Sequence, residues 1–333
     1  MTRKETVIFP RKPKILATGA VVGKNESEGP LAGYFDEHIK DGRYGEKTWE
    51  QAESKFHKSA FSYALEKAKL DARDIGCVLS GDLLNQCVAS SFAWRDCGIP
   101  FLGLYGACST FAEAMALAAV LVDGDKFNNV AISVSSHFCT AERQYRNPLA
   151  YGGQRPPTAQ RTVTGAGCAI LGQSDKVLPF IKSATFGCVT DSGISDANNM
   201  GAAMAPAAYE TLSAHFKNTD TKPSDYDLIA TGDLGEVGRK ILIDLLQRDG
   251  VCLGKEYIDC GCEIFDIKRQ DMHSGASGCA CLATVFSGYI IDGIRKGNYK
   301  RILIAGTGSL QSPLTVQQKE TIPGVCHAVE IGV

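Results

Sequence analysis

No uninterrupted apolar run in the 333 residues approaches the roughly 20 needed to cross a bilayer. The longest apolar stretches are broken by glycine, serine or an acid, so the chain is not expected to span a membrane by itself. Charge of one sign is also lacking: 35 Lys and Arg stand against 37 Asp and Glu, and a net −2 leaves no electrostatic footprint for nucleic acid. The opening residues MTRKETVIFPRKPK are basic, yet no apolar core follows them, and no signal peptide is expected. Nucleotide loops are missing too. Gly232, Gly235 and Gly238 do not match G-x-G-x-x-G, and the Lys-Ser/Thr pair of a phosphate loop is not there.

Cysteine is in excess, with 13 in the chain. An odd number without a secretion signal reads as reduced thiols rather than a disulfide framework. Cys260 with Cys262, and Cys279 with Cys281, form C-x-C pairs tighter than the usual spacing of structural zinc, so no metal is expected. With 44% hydrophobic residues, 22% charged residues and 35 glycines, the length suits two domains or one duplicated fold.

The stretch GLYGACSTFAEAMALAAVLVDG, residues 103–124, organises the rest. Gly103, Gly106 and Ala107 suit a tight turn. Residues 109–122 carry one charge, Glu113, which predicts a helix apolar on nearly every side and therefore buried. Cys108 then stands at the amino end of that helix, where free N–H groups and the helix dipole favour a thiolate. A small apolar core residue is the plain alternative.

Strands are expected at residues 14–23, 74–84, 128–136 and 164–171, from β-branched or uninterrupted apolar runs closed by glycine or a polar turn. Residues 49–70 read as an amphipathic helix with Ala52, Phe56, Ala60, Tyr63, Ala64 and Ala68 on one face. Residues 24–48 read as an exposed loop. The segment 138–163 has no evident regular structure and carries Arg143, Arg146, Arg155 and Arg161 against one acid, Glu142. Segments of this length are more often functional than filler.

The second half keeps step with the first. Gly81-Asp82-Leu83 and Gly232-Asp233-Leu234 lie 151 residues apart; Gly106-Ala107-Cys108 and Gly275-Ala276-Ser277 lie 169 apart, as do Asp123-Gly124 and Asp292-Gly293. An offset unchanged across a whole helix points to an α/β chain of duplicated βαβ halves, residues 1–175 and 176–333. Parallel-type sheets would enclose two buried helices at a pseudo-twofold axis.

In that order, YGACST, TGAGCAIL and HSGASG resemble the nucleophile turn, the glycine-rich strand and the second-half loop of the thiolase superfamily, β-ketoacyl synthases included. The resemblance implies a layered α-β-α-β-α fold with two central helices, and a dimer formed through residues 128–136. A longer string, SSHFCTAERQYRNPLAYGGQRPPTAQRTVTGAG, together with YGACST and GDLGEVGRK, resembles the stage V sporulation protein AD family. That likeness implies a thiolase-like component of a spore channel, peripheral to the cytoplasmic face of the spore inner membrane. It would bind dipicolinic acid (pyridine-2,6-dicarboxylic acid), free or as its calcium chelate, and work with membrane subunits of the same channel. Uptake into the developing spore and release at germination are the roles implied, with no cofactor.

Departures from the catalytic superfamily argue for binding over chemistry. Condensing enzymes need a basic side chain in the second half, and residues 231–235 offer Thr-Gly-Asp-Leu-Gly, without histidine. His273 is the nearest histidine to the second site, and residues 306–309, Gly-Thr-Gly-Ser, lack a second cysteine. Cys108, His137, Arg143, Tyr145, Arg146, Arg155, Asp233, His273 and Ser277 are the candidate ligand contacts, arginine forks gripping carboxylates and tyrosine meeting a ring. The rival reading is an acyltransferase or condensing enzyme with Cys108 as nucleophile and His273 as base.

Overall fold

The computed structural model describes residues 5–144 and 155–333. The first half enters at β1, Lys14–Val22, and continues into α1, Trp49–Ala68. The Thr48 hydroxyl caps α1 by accepting from the Gln51 N–H, and the helix lays Ala52, Phe56, Ala60 and Ala64 into the core. There follow β2, Cys77–Gly81; β3, Phe101–Gly103; α2, Thr110–Asp123; β4, Asn129–Ser136; α3, Phe138–Glu142; and β5, Gly165–Gly172.

The second half runs through β6, Phe180–Phe186; α4, Met200–Thr219; β7, Leu228–Thr231; α5, Gly235–Arg248; and β8, Tyr257–Asp259. Then Cys279–Val285 continues through a π-helical turn, Phe286–Ile290, into Ile291–Arg295, together α6. The strands β9, Arg301–Ser309, and β10, Gly324–Gly332, complete it.

Strand order runs β3-β2-β4-β5-β1 in the first half and β8-β7-β9-β10-β6 in the second. The two series touch where Lys14 of β1 pairs with Phe180 of β6. One order is the copy of the other. Along this order each half is parallel over its outer three strands. β5 and β10 join antiparallel on both sides, which corrects the expectation of parallel-type sheets. Strands buried on both faces read as continuous apolar runs whichever way they point, so direction is invisible to hydropathy.

The first-half strands carry α1 on one side, and α4 lies on β9 and β10 with α5 against it. Between them, α2 touches strands of both halves and α6 lies beside it on β1, β4 and β5. The two central helices meet through Phe111 and Phe286, whose ring centroids are 5.5 Å apart. Both rings are fully buried, as are Ala112, Met115, Ala119 and Val122 along α2.

Two further expectations need correction. Residues 24–48 are not a plain exposed loop, since Glu26, Leu31, Phe35 and Ile39 are buried; short apolar insertions among polar residues hide such anchors. The strand expected to serve a dimer, now β4, is interior, paired with β2 on one side and β5 on the other. The free edge of this half is β3, where Phe101 and Leu102 are exposed. Among the described residues, which include all 13 cysteines, none forms a disulfide, and no helix is long and apolar enough to cross a membrane.

Candidate functional site

The amino end of α2 begins with a strained turn. Ala107 holds φ +49°, a left-handed value rare outside glycine. The turn is pinned by the Gly106 N–H donating to Thr110 Oγ1 at 3.0 Å and by Ser109 Oγ donating to the Gly106 carbonyl at 2.7 Å. Gly308, near the end of β9, packs so closely that an added Cβ would lie 2.3 Å from the Gly106 oxygen. Cys108 is thereby presented at a fixed point, and its sulfur lies 3.7 Å from the Ser277 hydroxyl. These two residues are 169 apart in sequence, the offset that relates the halves.

Behind Ser277 stands Asp233. Its carboxylate accepts from Ser277 Oγ, from the Gly278 N–H and from Thr307 Oγ1, each at 2.9 Å. The loop carrying Asp233 is tied down by a second buried acid, Asp259, which accepts from the N–H groups of Leu234 and Gly235 and from Thr231 Oγ1. Gln160 braces the same loop, its side-chain amide donating to the carbonyls of Asp233 and Ala276, both at 2.7 Å.

Burial pushes the Asp233 carboxyl up to about 6, against the pull of the nearby Cys108 thiol and of its hydrogen bonds from Gly278, Ser277 and Thr307. Burial also drives the Cys108 thiol well above its ordinary range, and the negative charge of Asp233 pushes the same way. The helix-end preference for a thiolate is therefore outweighed. A cysteine in this setting stays protonated near neutral pH and is a weak nucleophile.

A cavity of about 330 Å³ opens over this floor. Its lining includes Cys108, Ser277, Thr162, Gln160 and Arg155, with Leu83 and Met200 among its apolar contributors. The structure thus gathers Cys108, Ser277 and Asp233 and sets Arg155 on the wall above them. Arg155 donates from Nη2 to the Asp271 carboxylate at 2.8 Å and to the Asp271 carbonyl at 2.9 Å.

The other candidates lie elsewhere. His137 caps α3, its Nδ1 accepting from the Cys139 N–H while Nε2 meets the Gly42 carbonyl at 2.8 Å. Its ring packs on Trp49 and Phe56, and it is not among the cavity's lining residues. Arg143 pairs with Glu50 of α1, outside the lining. His273 is outside it as well, with Nδ1 on the Pro156 carbonyl at 2.8 Å and Nε2 3.3 Å from Asp271. Arg161 stacks on Phe138. Tyr145 and Arg146 fall outside the described residues.

Sequence reasoning missed Gln160, Thr307, Asp259 and Asp271. Thr307 lay in a glycine-rich loop already under suspicion, and Asp271 lay two residues before His273. Nothing local marked Asp259 or Gln160, whose partners are far away in the chain.

A sequence model of the stage V sporulation protein AD family matches residues 3–332. The stage V sporulation protein AD of Bacillus subtilis is 43% identical over 329 residues, covering 99% of this chain and 97% of that protein. Among solved structures, 3-oxoacyl-[acyl-carrier-protein] synthase III from Aquifex aeolicus aligns with a TM-score of 0.59 at 13% identity, over 96% of this chain and all of that one. An OleA variant from Xanthomonas campestris with bound lauric acid and lauroyl-CoA aligns at 0.63 with 14% identity, over 97% and 99%. Likeness at that level of identity establishes a thiolase-like fold and no more. Matched along almost its entire length, the chain belongs to the stage V sporulation protein AD family.

Proposed function

We propose that this protein binds dipicolinate, free or as its calcium chelate, for the channel of the bacterial spore, and does so without transforming it. One observation carries the reading. The sulfur of Cys108 faces a hydroxyl and a buried carboxylate, and among the described residues no histidine lines its cavity, so the nucleophile of a condensing enzyme lacks its activator. The hollow above it is kept, and its size falls at the small end of ligand sites, roughly 300–1,000 Å³. Arg155 supplies a planar fork suited to a carboxylate.

Membrane subunits of the same channel are the partners in this reading, holding the protein at the cytoplasmic face of the spore inner membrane. A second copy is assigned to the open edge at β3. Calorimetric titration with dipicolinate and with its calcium chelate tests the ligand, and intact-mass measurement after exposure to acyl-coenzyme A tests the chemistry. Saturable binding below millimolar concentration with no mass gain is expected. No binding at millimolar acid, with an acyl group on Cys108, would replace this reading with the condensing-enzyme one.

A further inference from the structure

We propose that Asp271 is an internal stand-in for the ligand's carboxylate: it holds Arg155 until an organic acid enters the cavity and takes its place. The inference rests on the acid-binding reading of the cavity. Arg155 is the lining arginine among the described residues, and its guanidinium is engaged by the carboxylate and the carbonyl of Asp271 together.

The turn that presents this carboxylate is unusual in its backbone. Asp271 and His273 both hold left-handed angles, φ +54° and +53°, uncommon for non-glycine residues though Asp and His adopt them more readily than most. The Met272 N–H donates to the Ile267 carbonyl at 2.9 Å, the Ser274 N–H to Ala159 at 3.0 Å, and the Arg161 N–H to Gly275 at 2.9 Å. The first closes the turn, and the other two stitch it to the segment that carries Arg155. His273, anchored on Pro156, faces the other oxygen of the Asp271 carboxylate. His273 is thus a positioning residue for Asp271, in place of the catalytic role expected of it.

Exposure decides that the contact can be exchanged. The Asp271 side chain is 77% exposed and that of Arg155 only 25%. An ion pair with one partner mostly in water contributes little, and the displaced aspartate is rehydrated at once. A ligand carboxylate inside the cavity meets the same guanidinium in a drier setting, where a two-bond grip is stronger. The fitting ligand class is a small planar acid with a carboxylate at its edge.

Asp271→Asn is the test, since asparagine tolerates left-handed angles and keeps the side-chain shape. Arg155 reactivity toward phenylglyoxal, read by peptide mass, needs no ligand; the variant should react several-fold faster. Titration with dipicolinate and with isophthalate should show binding two- to fivefold tighter in Asp271→Asn, the scale of an exposed ion pair. That gain should vanish in an Arg155→Gln background. Unchanged phenylglyoxal reactivity, or an equal gain without Arg155, overturns the proposal. If neither acid binds either protein while Arg155 is still unmasked, the choice of ligand fails and the guarding contact stands.

Discussion

Replacing Asp233 by asparagine isolates the charge that keeps Cys108 quiet. The carboxylate accepts three hydrogen bonds at 2.9 Å, and asparagine has nearly the same shape, so the loop has little reason to move. Of the influences raising the thiol, burial is the largest and survives the substitution; the charge of Asp233 does not. A neighbouring charge within a few ångströms shifts a titrating group by roughly one to two pK units, so the thiolate fraction should rise about ten- to a hundredfold. Because Asp233 titrates at about 6, its influence is complete from near pH 7 upward. The assay is the second-order rate of iodoacetamide addition to Cys108, followed by intact mass between pH 7.5 and 9 (roughly the range below a normal thiol's full ionisation). Equal rates for the two proteins would refute the reasoning, since the sulfur would then be held down by burial alone. Stability offers a parallel reading. A carboxyl raised from 3.8 to about 6 in the folded state destabilises it by about 3 kcal/mol as pH climbs through that interval, and Asp233→Asn should lack this loss.

Glu330 should show the opposite sign. Burial alone would raise it, but His215 nearby at 3.7 Å and the hydrogen bonds from Lys182 and Arg301 outweigh burial and hold it at about 2. Its contribution, about 3 kcal/mol, is full above pH 4.5 and is lost as pH falls toward 2; denaturant titrations of Glu330→Gln across that range should lack this acid-side component. Gly308→Ala would drive a methyl to 2.3 Å from the Gly106 oxygen, and thermal unfolding should fall by several degrees, about 1–3 kcal/mol of overpacking. Phe111→Ala should cost about 3–5 kcal/mol by emptying the contact between the central helices. Leu102→Lys on the open edge of β3 should leave the fold intact and abolish, in sedimentation velocity, the dimer proposed at that edge.

The fold was legible because duplication leaves arithmetic behind. Cys108 and Ser277 share a 169-residue offset with the ends of the central helices, and that pair meets at the cavity floor. Nearness in sequence served less well for His273. It lies four residues before Ser277, yet the left-handed backbone at His273 and Gly275 turns the chain between them, and its ring is spent on Pro156 and Asp271. The arginine segment was visible as a charge excess, but partners decide what each charge does. Arg143 answers to Glu50 on α1 and Arg155 to Asp271, each remote in sequence. Asp233 reads in the sequence as a ligand contact, but its part as a buried brace could not be read there, because its donors, Ser277, Gly278 and Thr307, converge only once both halves are folded.

A crystal structure of this protein soaked in dipicolinate addresses the central claim most directly. The account predicts a planar acid in the cavity above Cys108, one carboxylate on Arg155 in place of Asp271, and no bond to sulfur. An empty cavity at saturating acid, or an acyl group continuous with the Cys108 sulfur after exposure to acyl-coenzyme A, would contradict it.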